Sequence, residues 1–335
     1  MQAAIYGLAG CELNAEEVAF FRDTRPCGYI LFRRNIEDRE QVRRLTDSLR
    51  ALEGHDEVPI LIDQEGGRVA RMRPPVWPAF PSGEAFDRLY QVAPSSAIEA
   101  ARVNARALAL MLNEVGVNVD CLPMLDVRQP GATDIVGDRA LGSEPMQVAA
   151  LGRAILDGLA SAGVLGVIKH IPGHGRALVD SHLALPVVDA GEDELAIDLV
   201  PFERLRDAAM GMTSHLLYTQ WDATRPASQS PVIIHDIIRE RIGFDGFLMS
   251  DDIGMEALEG DHGRRAALCV AAGCDAALHC DGVMANMRLV GDAVGELTPE
   301  AEARLARAMA MRFTPDDEMD FAAAVAKRDA LLALV

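Results

Sequence analysis

The sequence predicts an α/β chain folded as a single (β/α)8 barrel with extra C-terminal helices. Three observations carry this expectation. Short apolar runs rich in Val, Ile and Leu alternate with longer helical patterns, which is the signature of βα units on a parallel sheet. Eight such runs are present, the number that closes a TIM barrel. No GxGxxG follows the first run, so a dinucleotide-binding doubly wound sheet is disfavoured. The chain of 335 residues suits one domain over residues 1–335, with the barrel over about 5–295 and closing helices over about 298–333.

The eight candidate strands are Ile5–Ala9, Gly28–Phe32, Pro59–Asp63, Asn118–Leu125, Gly166–His170, Gly211–Leu217, Gly246–Ser250 and Ala276–His279. Between them, Ser96-Ala-Ile-Glu99 reads as a capping box opening a long helix that stops at Gly116. A second helix carries Val148, Leu151, Ile155 and Leu159 on one face and ends before Gly163. Pro231–Arg241 and Gly263–Ala272 fit two more, and residues 298–312 and 317–333 fit the closing pair. The chain shows no internal repeat, low-complexity tract or Pro/Ser linker.

Composition narrows the function. The chain is 50% hydrophobic and 25% charged, an ordinary globular balance. Its net charge of −19 would repel a phosphate backbone, and no basic stripe relieves it, so nucleic acid and anionic membranes are poor partners. Six cysteines are present, Cys11, Cys27, Cys121, Cys269, Cys274 and Cys280, with no CxxC pair. Most sit in apolar runs as small buried hydrophobes, and a disulfide framework is not expected. No signal peptide and no membrane span is expected, which makes the cytoplasm the default compartment.

Barrel enzymes work at the carboxyl ends of their strands. There the third run ends in Asp63-Gln64-Glu65-Gly66-Gly67-Arg68, and the fourth passes Asp120 to Asp126. The fifth ends in Lys169-His170-Ile171-Pro172-Gly173-His174-Gly175. The sixth reaches Ser214-His215, the seventh Ser250-Asp251-Asp252, and the eighth His279 and Asp281. Charges placed directly after buried strands cost desolvation unless something uses them. Six such endings on one rim favour an active site over a structural network. Lys169 and Arg139 can bond hydroxyls or balance carboxylates, which suits a polyhydroxylated, uncharged ligand. Asp251 ends a strand, where a nucleophile is well held.

Asp180-Ser181-His182 can be a dyad in which the carboxylate orients the imidazole, or an Asx turn with an exposed His. His170, His174 and His182 also admit a metal reading. Pro172 and Gly173 keep the first two off a common helix face, and no His-Glu-x-x-His accompanies them, so no metal is expected. Gly66-Gly67 lacks the Lys-Ser/Thr of a phosphate loop and reads as a tight turn.

Taken together, Lys169-His-Ile-Pro-Gly-His-Gly175 and Asp180-Ser-His182 resemble the signature of family 3 glycoside hydrolases of the β-N-acetylhexosaminidase branch, enzymes of bacterial peptidoglycan recycling. Supporting segments are Gly28-Tyr-Ile-Leu-Phe32 with Arg34-Asn35, Asp63-Gln-Glu-Gly-Gly-Arg-Val69 and Asp120-Cys-Leu-Pro-Met-Leu-Asp126. Gly137-Asp-Arg139 and Ser250-Asp-Asp-Ile-Gly-Met255 complete an ordered set spanning nearly the whole barrel. The resemblance implies a retaining exo-β-N-acetylglucosaminidase that needs no cofactor. It implies Asp251 as nucleophile, His182 as acid/base with Asp180 orienting it, and Asp63, Arg71, Arg139, Lys169 and His170 as sugar contacts.

The implied partner is a small glycan, GlcNAc-1,6-anhydroMurNAc and related muropeptide fragments, handled by a monomer. Ile171 stands where the family commonly has Phe, and Asp281 where it commonly has Asn; these departures bear on aglycone preference. A phosphorylase, a broad exo-β-glycosidase of the same family, a non-catalytic sugar-binding barrel and a metal-dependent barrel hydrolase are the other readings.

Overall fold

The computed structural model describes residues 1–131, 134–179, 181, 184–312 and 319–335. The barrel strands are β1 (Gln2–Gly7), β2 (Pro26–Leu31), β3 (Ile60–Ile62), β4 (Val119–Asp120), β5 (Leu165–Ile171), β6 (Met210–Thr213), β7 (Phe247–Asp252) and β8 (Ala276–His279). They close in sequence order, each parallel to its neighbours, and β8 returns to pair with β1 through Ala4 and Ala277.

Both faces of these strands are buried, and the period of two sorts their side chains. Ala3, Ile5, Ile30, Leu61, Val119, Val167, Met212, Phe247 and Leu278 fill the barrel interior. Their alternates Ala4, Tyr6, Tyr29, Leu31, Ile60, Ile62, Ile168, Leu248 and Ala277 face outward into the layer beneath the helices.

That outer layer contains α1 (Ala15–Thr24), α2 (Arg39–Glu53), α3 (Gly83–Val92), α4 (Pro94–Glu114), α5 (Pro145–Ala160) and α6 (Glu192–Arg204). After a π-helix at Ile233–Arg241 come α7 (His262–Ala272), α8 (Met284–Ala293), α9 (Pro299–Ala310) and α10 (Phe321–Leu332). Helix α9 crosses the amino end of the barrel. The Leu297 N–H donates to the Met1 carbonyl at 2.8 Å, and Leu305 and Ala308 join the interior cluster. Helix α10 packs on α3 and α4, where Phe321 meets Phe80 edge-on and Arg328 lies over the Phe80 ring.

Several elements differ from the expectation. The long helix α4 begins at Pro94, so Ser96 and Glu99 lie inside it. Proline needs no N–H partner in a first turn and presets the helical φ, which moves the start upstream of the apparent capping box. Glu99 instead pairs with Arg102 one turn on.

The fourth strand pairs regularly only at Val119–Asp120, because Pro123 has no N–H to donate to a ladder. The segment still follows β5, which donates from Val167 N–H to the Leu122 carbonyl and from Lys169 N–H to the Pro123 carbonyl. The sixth run ends as a barrel strand at Thr213, and Leu217–Tyr218 pairs with Val187–Val188 outside the barrel.

The stretch read as a helix over Pro231–Arg241 has a π-helical winding, with Ile242 N–H bonded to the Ile237 carbonyl. Its buried isoleucines at 233, 234, 237 and 238 recur every four residues. That spacing lies between the α and π periods, so the pattern could not separate them.

Candidate active site

The strands place a polar pocket of about 240 Å³ at their carboxyl ends. Asp63, Arg71, Arg139, Lys169, His170 and Asp251, six of the eight expected site residues, line it together. The other two, Asp180 and His182, lie outside the described residues. Ser181 lines the pocket, with its hydroxyl 3.3 Å from His174 Nε2. The volume is below the roughly 300–1,000 Å³ of pockets for drug-sized ligands, which suits one sugar ring. Ile30, Phe32, Met212 and Leu278 give the pocket an apolar side against which the carbon face of a ring can lie.

A chain of alternating charge forms one wall. Lys169 Nζ, delivered by β5 and 2% exposed, bonds Asp63 Oδ1 at 3.0 Å and Glu65 Oε1 at 2.7 Å. Arg71 holds the other Asp63 oxygen at 2.8 Å, and Arg139 grips Glu65 through two N–H donors at 2.9 and 2.7 Å. Burial alone would raise both carboxyls. Lys169 and Arg71 outweigh it and hold Asp63 well below the usual carboxylate range, while Arg139 and Lys169 bring Glu65 down to about 2. Both carboxylates stay ionised, as buried charges do when paired. The guanidinium of Arg71 stacks over Phe32, 5.0 Å from the ring centre.

His170 is fixed by Asp126, whose Oδ2 lies 2.7 Å from His170 Nδ1. The other Asp126 oxygen accepts the His174 amide at 2.6 Å. Burial opposes ionisation of Asp126, but His170, His174 and that amide bring its carboxyl to about 2. Nδ1 is thereby the proton-bearing nitrogen of His170, leaving Nε2 for a ligand.

Asp251 stands at the end of β7, is 8% exposed and lines the pocket. Its Oδ1 accepts the Asp252 amide at 2.8 Å, and no cation among the described residues forms an ion pair with it. Burial would raise its carboxyl; the fields of His170 and His215, the Asp252 amide and Lys169 outweigh that and keep it low. Burial wins at Asp252, whose carboxyl is raised and turned to the Gly254 amide at 2.9 Å. Both adjacent aspartates line the pocket but differ: Asp251 is held ionised, while the raised Asp252 carboxyl also caps a turn. His215 braces the strand end by contacts to the Asp252 carbonyl at 3.0 Å and the Ser228 hydroxyl at 2.7 Å.

Glu65, Asp126 and His174 received no role from sequence reasoning. Glu65 follows Asp63 at the i, i+2 spacing that puts two side chains on one strand face, which was the available signal. The partnership of Asp126 with His170 spans 44 residues and has no local signature.

One buried acid stands apart. Asp120 is fully buried at the end of β4; its Oδ1 accepts the Gln64 amide at 3.0 Å and its Oδ2 has no partner among the described residues. Burial pushes its carboxyl up to about 8, against the pull of that amide and Lys169. A folded-state value above the unfolded one stabilises the protein fully below the unfolded value of 3.8 and loses that contribution as pH rises through about 8. Asp120→Asn keeps the shape without the charge. Its melting temperature relative to the native chain is expected to rise between about pH 5 and about pH 9; a difference constant across that range in thermal melts would refute this.

An ionised carboxylate braced at a strand end, facing a sugar-sized pocket on the catalytic rim, defines a barrel enzyme for carbohydrate chemistry. The sequence matches the glycosyl hydrolase family 3 N terminal domain over residues 3–311, and the chain belongs to this family of glycoside hydrolases. It is 37% identical over 303 residues to a β-hexosaminidase of Aromatoleum aromaticum, covering 89% of this chain and 84% of that one. It is 36% identical over 345 residues to a β-hexosaminidase of Methylococcus capsulatus, covering 98% and 94%. NagZ from Neisseria gonorrhoeae, solved in complex with N-trifluoroacetyl-D-glucosamine, superposes with a TM-score of 0.85 at 31% identity, covering 99% of this chain and 96% of that one.

Proposed function

We propose that the chain is a retaining exo-β-N-acetylglucosaminidase acting on terminal, non-reducing β-linked GlcNAc of peptidoglycan-derived muropeptides. The observation that carries the reading is Asp251, a buried, ionised carboxylate that forms no direct ion pair among the described residues and faces a one-ring pocket. The β-hexosaminidase relatives and the glucosamine-derived ligand bound to the gonococcal neighbour support the N-acetyl preference.

In this mechanism Asp63, Arg71, Arg139, Lys169 and His170 hold the sugar hydroxyls. Asp251 Oδ forms a bond to the anomeric carbon as the glycosidic C–O bond breaks, and His182, oriented by Asp180, gives its proton to the departing oxygen. Water then attacks the glycosyl-aspartate and passes its proton to His182. The ester bond breaks, and two displacements return the β-anomer. A histidine in this role departs from the usual pair of carboxyl groups. It adds no further anion to an acid-rich rim, and its ordinary pKa lies near the working pH. All six cysteines are unpaired, which supports action in the reducing cytoplasm. No helix among the described residues is long and apolar enough to cross a membrane.

The test compares 4-nitrophenyl N-acetyl-β-glucosaminide with the β-glucoside, with and without phosphate. Preferred cleavage of the N-acetyl substrate, indifferent to phosphate, is expected; phosphate-dependent release of sugar 1-phosphate would make the chain a phosphorylase. His182→Gln is expected to slow cleavage of GlcNAc-1,6-anhydroMurNAc by at least about a hundredfold and the nitrophenyl substrate by less, because nitrophenolate leaves with little help from an acid. Equal losses on the two substrates would remove His182 from the acid role.

A further inference from the structure

A second cluster of ligating side chains lies on the outer side of the rim, away from the sugar pocket. His279 ends β8 and points outward, fully buried, with its ring 5.9 Å from that of Tyr6. Neither of its ring nitrogens has a hydrogen-bond partner among the described residues. A buried imidazole with both nitrogens unsatisfied is costly, and such an orphan calls for a partner.

His279 Nε2 lies 3.3 Å from Asp281 Oδ1, and His262 Nε2, at the start of α7, lies 3.6 Å from Asp281 Oδ2. The candidate ligand atoms of the three residues all fall within 4.8 Å of one another. The Asp281 carboxylate is itself held by the Val283 amide and by Asn286 Nδ2, both at 2.6 Å. A tetrahedral zinc with ligands at about 2.0–2.1 Å separates them by about 3.3–3.4 Å, close to the two distances here.

We propose that His262, His279 and Asp281 form a binding site for a divalent transition-metal ion of the zinc type, with water completing the tetrahedron. Two imidazoles and one carboxylate are donors that zinc favours over calcium or magnesium. His262 and Asp281 are 22% and 31% exposed, so the ion has a path in. The role is structural. Cys280 lies between two of the ligands, lines the sugar pocket and accepts Arg34 Nη2 at its carbonyl, so the ion would tie β8 to α7 directly behind the sugar.

The experiment uses the full chain stripped with EDTA and titrated with zinc chloride, read by calorimetry and by thermal melting. The native chain is expected to bind zinc and melt higher with it. His262→Gln and Asp281→Asn, both at partly exposed positions, should each bind one equivalent fewer and lose that rise in Tm, while melting like the native chain without metal. Cobalt in place of zinc should give the intense visible absorption of a tetrahedral site in the native chain only. Undiminished zinc binding in both variants would place the ion elsewhere, for example on the pocket histidines, and would overturn the proposal. Failure of the native chain to bind would overturn it equally.

Discussion

Asp251→Asn is expected to lower kcat on 4-nitrophenyl N-acetyl-β-glucosaminide by about a thousandfold or more, with KM changed little. The amide keeps the size and the Oδ1 acceptor for the Asp252 amide but removes the anion proposed to attack. Because its surroundings hold this carboxyl below the ordinary carboxylate range, the proposed nucleophile should stay charged throughout the neutral range. A mechanism-based 2-fluoro sugar should label the native chain at Asp251, seen as a mass shift on the peptide, and should leave the variant unlabelled. Survival of most activity in Asp251→Asn would point instead to attack by the substrate's own acetamido group.

Lys169→Met is expected to cost roughly 3–5 kcal/mol of stability, the usual result of stripping one partner from a buried charge network. Lys169 joins Asp63 to Glu65 and is 2% exposed. Without it, the two carboxylates keep only Arg71 and Arg139, burial pulls both carboxyls upward, and Asp63 loses the contact that fixes one of its oxygens. Urea unfolding measures the loss, and kcat/KM should fall with it because the wall proposed to receive the sugar hydroxyls would lose its order. Lys169→Arg should rescue poorly, since a planar fork cannot replace a point charge shared by two carboxylates. A Met variant as stable as the native chain would show that the charge chain is not what orders this wall.

The barrel was legible because its strands are buried on both faces and read as apolar runs between helical patterns. All eight runs correspond to barrel strands, with Ala276–His279 read to the residue. Boundaries failed where one residue imposed a local exception, as Pro123 does for β4 and Pro94 for α4. Several helices had no pattern clear enough to place in advance. In α1, for example, only Glu17, Phe20 and Phe21 are buried, too short an apolar stripe to stand out.

The pocket residues were legible because strand ends are few and the charges on them conspicuous. Their pairing was not, since Lys169 meets Asp63 across 106 positions, and only closure of the barrel brings them together. For the same reason the difference between Asp251 and Asp252 is invisible in a Ser-Asp-Asp triplet. It arises from which carboxylate faces the histidines and which faces a turn.

Packed side chains fill the barrel interior, with α9 at its amino end, so no passage runs through the barrel among the described residues. In the proposed mechanism traffic in and out would share the rim, and geometry would fix the order of departures. The aglycone would have to clear before water reached the bound sugar, and the freed monosaccharide would have to leave before another chain end entered. On the proposed function such a site would trim from an end and would not thread a polymer. It would select by the terminal residue presented to it, whatever the length of what trails outside.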